Sequence, residues 1–280
     1  MQIKYNPLKL VNGILLKLNK RFLYLGASLS YFSVSLYFIT FVPKNLLLNY
    51  AIIFSLLITF LFYVSMVPAN FSYYKVLKQL PLPLGYIVAS FLLLSFFPNL
   101  IFLFKLAFVI ANVFIFYFLL LSFNVLFVVE HRGSVIPLLR PARTTFLLMQ
   151  IITTFFLFTA IYKIVLPDPL TEVTFLLQTL VVFLCSFTFA NSYWWSQHLE
   201  KEITSFVGNE SMVIAFLTSF ASLALSFYPT ESFFRSLGVS IVYYICINFF
   251  QNVVTHKFTP RNLIEYFVLG AVGLVFIFLF

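Results

Sequence analysis

Residues 106–129, LAFVIANVFIFYFLLLSFNVLFVV, carry no charged side chain, with Lys105 before them and Glu130-His131-Arg132 after them. Wound as a helix, such a run is about 36 Å long, enough to cross a hydrocarbon layer of about 30 Å. Eight more apolar runs of comparable character lie on either side, at 22–42, 46–67, 82–100, 144–166, 173–194, 212–227, 233–254 and 263–279. The chain therefore reads as an all-α integral membrane protein, a polytopic bundle of about nine transmembrane helices. Residues 1–21 precede the membrane domain, 22–280. Leu8, Val11, Leu15 and Leu18 recur there at helical spacing opposite Lys9 and Lys20, the pattern of a cytoplasmic amphipathic segment in the headgroup layer.

Composition supports this class and excludes others. Of 280 residues, 62% are hydrophobic and 9% charged, with a mean hydropathy of +1.04. That balance leaves no room for a soluble domain. The first span follows a basic segment, yet it is too long for a secretory leader and no small-residue cleavage site follows it, so it is expected to stay in place. The net charge of +9 comes from residues at span ends and points to anionic lipid headgroups on the inner face rather than to nucleic acid. With the N-terminus cytoplasmic, Lys4, Lys9, Lys17, Lys20, Arg21, Lys75, Lys78, Arg132, Arg140, Arg143, Lys201, Lys257 and Arg261 fall inside, and only Lys44, Lys105, Lys163 and Arg235 outside. The positive-inside rule then orients a multi-pass protein of the cell membrane with its C-terminus outside.

The order of short motifs suggests an internal repeat. Ala69-Asn70-Phe71-Ser72-Tyr73 ends the second span and Ala190-Asn191-Ser192-Tyr193 the sixth; Val128-Val129-Glu130-His131-Arg132 ends the fourth and Val253-Val254-Thr255-His256-Lys257 the eighth. Residues 22–129 and 144–254 are thus candidate parallel four-helix copies, with 263–279 as an extra span. Aromatic residues make up 21% of the chain and gather at membrane interfaces in any case, so composition alone accounts for part of this likeness.

Chemistry is sparse. Cys185 and Cys246 both lie within spans, without the spacing of a metal or disulfide framework. No cofactor is implied, and no nucleotide-binding, hydrolase or zinc motif is present. His198 and Glu202 have only a two-ligand spacing. In-span polar groups are amides and hydroxyls, among them Asn112, Gln150 and Gln178, and they are densest at Asn248, Gln251 and Asn252. Such groups either bond neighbouring helices or line a polar cavity. In the seventh span Ser211, Ala215, Ser219, Ser222 and Ser226 form a small-residue face suited to close helix approach, with Phe216, Phe220 and Phe227 elsewhere. The connection 130–145 holds Arg132, Arg140 and Arg143 around an apolar centre; Pro137 and Pro141 argue against a regular helix there. Its arginines fit either topology fixing or a phosphate clamp, with His131 and His256 as the nearest acid–base groups. Asp168-Pro169 and Thr259-Pro260 have the form of helix starts.

These features support a membrane component without a recognisable catalytic motif, transporter-like or a scaffold with membrane protein partners. The alternative is an enzyme acting on a lipid-linked phosphate at the inner interface.

Overall fold

The structure, a computed structural model, describes residues 20–42, 50, 52–58, 79–96, 101–132, 137–164, 171–197, 206–256 and 258–279. All regular secondary structure among them is helical: α1 Lys20–Phe41, α2 Pro81–Phe96, α3 Phe102–Arg132, α4 Leu139–Lys163, α5 Thr171–Gln197, α6 Phe206–Ser226, α7 Ser232–Val254 and α8 Pro260–Leu279. Residues 52–58 form a further helical piece. Hydrocarbon offers backbone N–H and C=O groups no partner, so a spanning segment must satisfy them internally, as a helix does. Seven of the eight helices are long and apolar enough to cross a membrane, and the protein is a polytopic helical membrane bundle. The other, α2, has 16 residues and reaches about 24 Å. Most of the expected span 46–67, and with it Asn70, lies outside the described residues. So do residues 1–19, His198, Glu202 and the Asp168-Pro169 start.

Helix limits follow local chemistry. Thr259 precedes α8, its hydroxyl 3.0 Å from Asn262 Oδ1, while Pro260 takes the first helical position, where its missing N–H costs nothing. The connection expected over 130–145 is shorter than the prolines suggested. Helix α3 continues to Arg132 and α4 begins at Leu139. Pro141 falls in the first turn of α4, where a proline is tolerated, rather than in its interior.

The chain packs as two compact units, Met1–Met149 and Gln150–Phe280. In the first, the Tyr31 ring packs on Phe91 and Phe116 and its hydroxyl donates to Ser90 Oγ at 2.7 Å. Tyr86 donates to Asn112 Oδ1 at 2.6 Å, and Asn112 Nδ2 donates to Phe108 O at 2.8 Å. These bonds tie α1 to α2 and α2 to α3 through groups that would otherwise be orphaned in an apolar interior. Phe123 meets Phe146 edge-on where α4 begins to pack.

In the second unit, α5 with α6 and α6 with α7 make the most extensive contacts. Small residues permit this. Ser211, Ala215, Thr218, Ser219, Ser222 and Ser226 are all buried, while Phe216, Phe220 and Phe227 are 62–78% exposed. Helix α8 lies against α7 along a narrow stripe of Tyr266, Gly273 and Ile277. A Cβ on Gly273 would stand 2.9 Å from Ile241 Cδ1, and one on Gly238 would meet Ile277 Cδ1, so these two glycines set the separation of α7 and α8.

Candidate functional site: a polar seam in the second unit

Three helices of the second unit turn polar side chains toward one another along a single line. On α7 the face is Ser236, Ser240, Tyr243, Ile247 and Gln251, at spacings of four, three, four and four, all but Gln251 buried. On α5 Phe189 and Tyr193 meet the other two helices, and Ser186, Ser192 and Ser196 are buried on the same side of the helix by their spacing. Helix α4 contributes Gln150 and Thr159, 0% and 1% exposed.

Contacts between these faces fix the register. Thr159 and Ser236 share a hydrogen bond at 2.5 Å. Gln150 Nε2 donates to the Tyr243 hydroxyl at 2.7 Å and also to the Phe189 carbonyl. Tyr193 donates to Gln251 Oε1. From Ser236 to Gln251 the seam runs about 22 Å at about 1.5 Å per residue, most of the thickness of a hydrocarbon core. Its groups are hydroxyls, phenols and amides.

Not every group on the seam is satisfied. Gln150 Oε1 and the hydroxyls of Ser186, Ser192 and Ser240 are sealed from solvent and have no hydrogen-bond partner among the described residues. The ordinary solution for a hydroxyl in a spanning helix is to donate to the carbonyl one turn earlier. Ser28, Ser35, Thr218 and Ser226 all do so, at 2.7–2.9 Å. On the seam Ser196 and Ser236 also bond their own helix, but Ser186, Ser192 and Ser240 do not.

The residues singled out from sequence separate into distinct settings. In the first unit, His131 and Arg132 occupy the last turn of α3, with side chains outside the described set. Arg140 is exposed and Arg143 half-buried at the start of α4. In the second unit, Asn248 Nδ2 donates to the Tyr244 carbonyl of its own helix at 2.9 Å. Gln251 turns to α5, whereas Asn252 Nδ2 donates to the Tyr266 hydroxyl of α8 at 2.6 Å. Those three amides therefore serve three separate contacts instead of lining one cavity. His256 is exposed just past α7 with φ of 52°, a left-handed conformation that histidine adopts more readily than most side chains.

Sequence reasoning named Gln150 only as one in-span amide among several and Tyr193 only within the repeat motif, and it passed over Tyr243. A usable signal existed: Ser236, Ser240, Tyr243 and Gln251 share one helical face, and Gln150 needs a partner at a similar depth.

No family model, curated protein or solved structure shows significant similarity to the chain.

Proposed function

We propose that this multi-pass membrane protein is transporter-like, with the seam between α4, α5 and α7 as its polar path. The reading rests on the four buried seam atoms that lack a protein partner among the described residues. Each such group costs about 1–3 kcal/mol if left bare, and a serine could avoid that cost by turning to its own helix. A bundle that only held its helices together would have little reason to keep them so. Water or a passing solute supplies the missing partners. The absence of charge along the seam favours hydrogen-bonding solutes over a relay of titrating groups.

Placement in the cell membrane with the N-terminus inside belongs to the same reading, supported by the basic residues at one set of span ends. Arg140 adds to it. It lies exposed in the first turn of α4, where the helix dipole disfavours a cation, so an anionic headgroup on the inner face is its natural counter-charge. The same chemistry would serve a lipid-linked phosphate substrate, for which no acid–base group stands among the described partners of Arg140.

Thiol accessibility tests the path. In a Cys185→Ala, Cys246→Ala background, Ser240→Cys and Ser192→Cys should react with a charged thiosulfonate reagent in intact membranes far faster than the lipid-facing Phe216→Cys. Protection of both seam positions equal to that of Phe216→Cys would remove the path and leave the scaffold reading.

A further inference from the structure

We propose that the Gln150–Tyr243 pair is the solute-binding site of the seam and that the solute it takes is a neutral polyhydroxyl compound, an inference that rests on the seam being a path and narrows what passes along it. Both hydrogens of the Gln150 amide are committed, one to the Phe189 carbonyl and one to the Tyr243 hydroxyl. Only the NH2 end of an amide can face a carbonyl, so Phe189 fixes which way round Gln150 stands. Its Oε1 is then sealed with no donor among the described residues. Tyr243 has the complementary need. Its hydroxyl oxygen accepts from Gln150, while its proton has no acceptor among the described residues.

The two unfilled groups are close together. The nitrogen and oxygen of an amide are about 2.3 Å apart by covalent geometry, and Nε2 is 2.7 Å from the Tyr243 hydroxyl. Oε1 therefore lies no more than about 5 Å from that hydroxyl, a gap that two hydrogen bonds of about 2.8 Å through one shared oxygen can span. An alcohol oxygen donates to Oε1 and accepts from Tyr243 at once. A cation would satisfy Oε1 alone and meet no carboxylate on the seam; an anion would satisfy Tyr243 alone and stand against Oε1. Ser240 precedes Tyr243 by three residues and Ser186 precedes Phe189 by three, about 4.5 Å along each helix, and both hydroxyls are sealed without partners. Each can donate and accept, and so suits a further hydroxyl of the same solute. Tyr243 stands 7 residues from Ser236 and 8 from Gln251, in the middle of the seam, the depth at which transporters hold their substrates. Gln150 and Tyr243 are both 0% exposed, so solute reaches them only as α4, α5 and α7 part. Water has the same hydrogen-bonding chemistry as an alcohol, and the experiment separates the two.

The full chain is reconstituted in phosphatidylcholine vesicles, and uptake of radiolabelled mannitol is measured with empty vesicles subtracted. Mannitol should enter faster than urea, which is neutral but has no hydroxyl, and faster than lactate, which has a hydroxyl and a charge. Ser240→Ala removes an unpartnered hydroxyl, and should lower mannitol uptake while keeping the wild-type melting temperature. Tyr243→Phe should lower uptake about three- to tenfold, the worth of one hydrogen bond. Osmotic swelling of the same vesicles follows water. Exclusion of mannitol, whether or not water passes, overturns the proposal, and so does faster uptake of urea or lactate, or mannitol uptake undiminished in both variants. If Ser240→Cys still reacts with the thiosulfonate reagent when mannitol is excluded, the path stands and only its substrate class is wrong; protection of that position removes the transport reading as well.

Discussion

Gln150 Nε2 donates to the hydroxyl of Tyr243 at 2.7 Å, joining α4 to α7 across the middle of the seam with both side chains 0% exposed. Removing Gln150 strands the Tyr243 hydroxyl, whereas without that hydroxyl Gln150 Nε2 keeps its bond to the Phe189 carbonyl. Tyr243→Phe should lower stability by about 1 kcal/mol, and Gln150→Leu by about 1–3 kcal/mol because the Tyr243 hydroxyl is then orphaned. The double variant should be less destabilised than the sum of the two, since an apolar pair of similar shape leaves nothing unsatisfied. Thermal unfolding of all four proteins in detergent gives the coupling directly, and strict additivity would mean that the bond contributes nothing.

The small face of α6 leads to a comparison of substitutions. Ser219 and Ser222 are 7% and 0% exposed, and Ser222 also bonds Tyr162, whereas Phe216 and Phe220 are 62% and 63% exposed. Replacing both serines by Leu should cost several kcal/mol by overpacking, at about 1–3 kcal/mol per site. Replacing both phenylalanines by Leu should cost little. Equal losses in melting temperature would place the packing face elsewhere.

Glycines at the contact of α7 with α8 should resist enlargement. Gly273→Leu forces side-chain atoms into the space of Ile241 and should separate the two helices. Gly26 is exposed on α1 with no atom within 4 Å of a built Cβ. Gly26→Leu should be neutral or slightly stabilising through helix propensity. Protease resistance of the α7–α8 region in the two variants is the readout.

Orientation is open to reporter fusions. A cytoplasm-dependent reporter should be active after Lys78, and one that works only outside the cytoplasm should be active after Phe280. The reverse pattern would overturn the inside placement of the basic span ends.

Hydropathy was enough to locate the spans, because the bilayer demands length and apolarity from each segment independently of its neighbours. Residues 22–42 and 233–254 were read from sequence within a residue or two of α1 and α7. Errors arose where the signal was local chemistry. Helix α4 begins at Leu139, not near 144, since Pro141 fits a first turn, and α6 extends back to Phe206 through polar residues that hydropathy discards. The packing face of α6 was legible, because only one side of that helix is free of bulky residues.

What the sequence determined by itself is the class: helices in lipid, their number to within what the described residues cover, and the small face of one of them. Tertiary structure alone decided which polar groups meet. Gln251 and Asn252 are adjacent in the chain yet bond to Tyr193 on α5 and Tyr266 on α8, and nothing in their spacing distinguishes those fates. In a segment apolar on every side, periodicity no longer marks an inner face. Helix rotation is then set by close packing and by the need of each buried amide or hydroxyl to find a partner, and both depend on neighbours that only folding supplies.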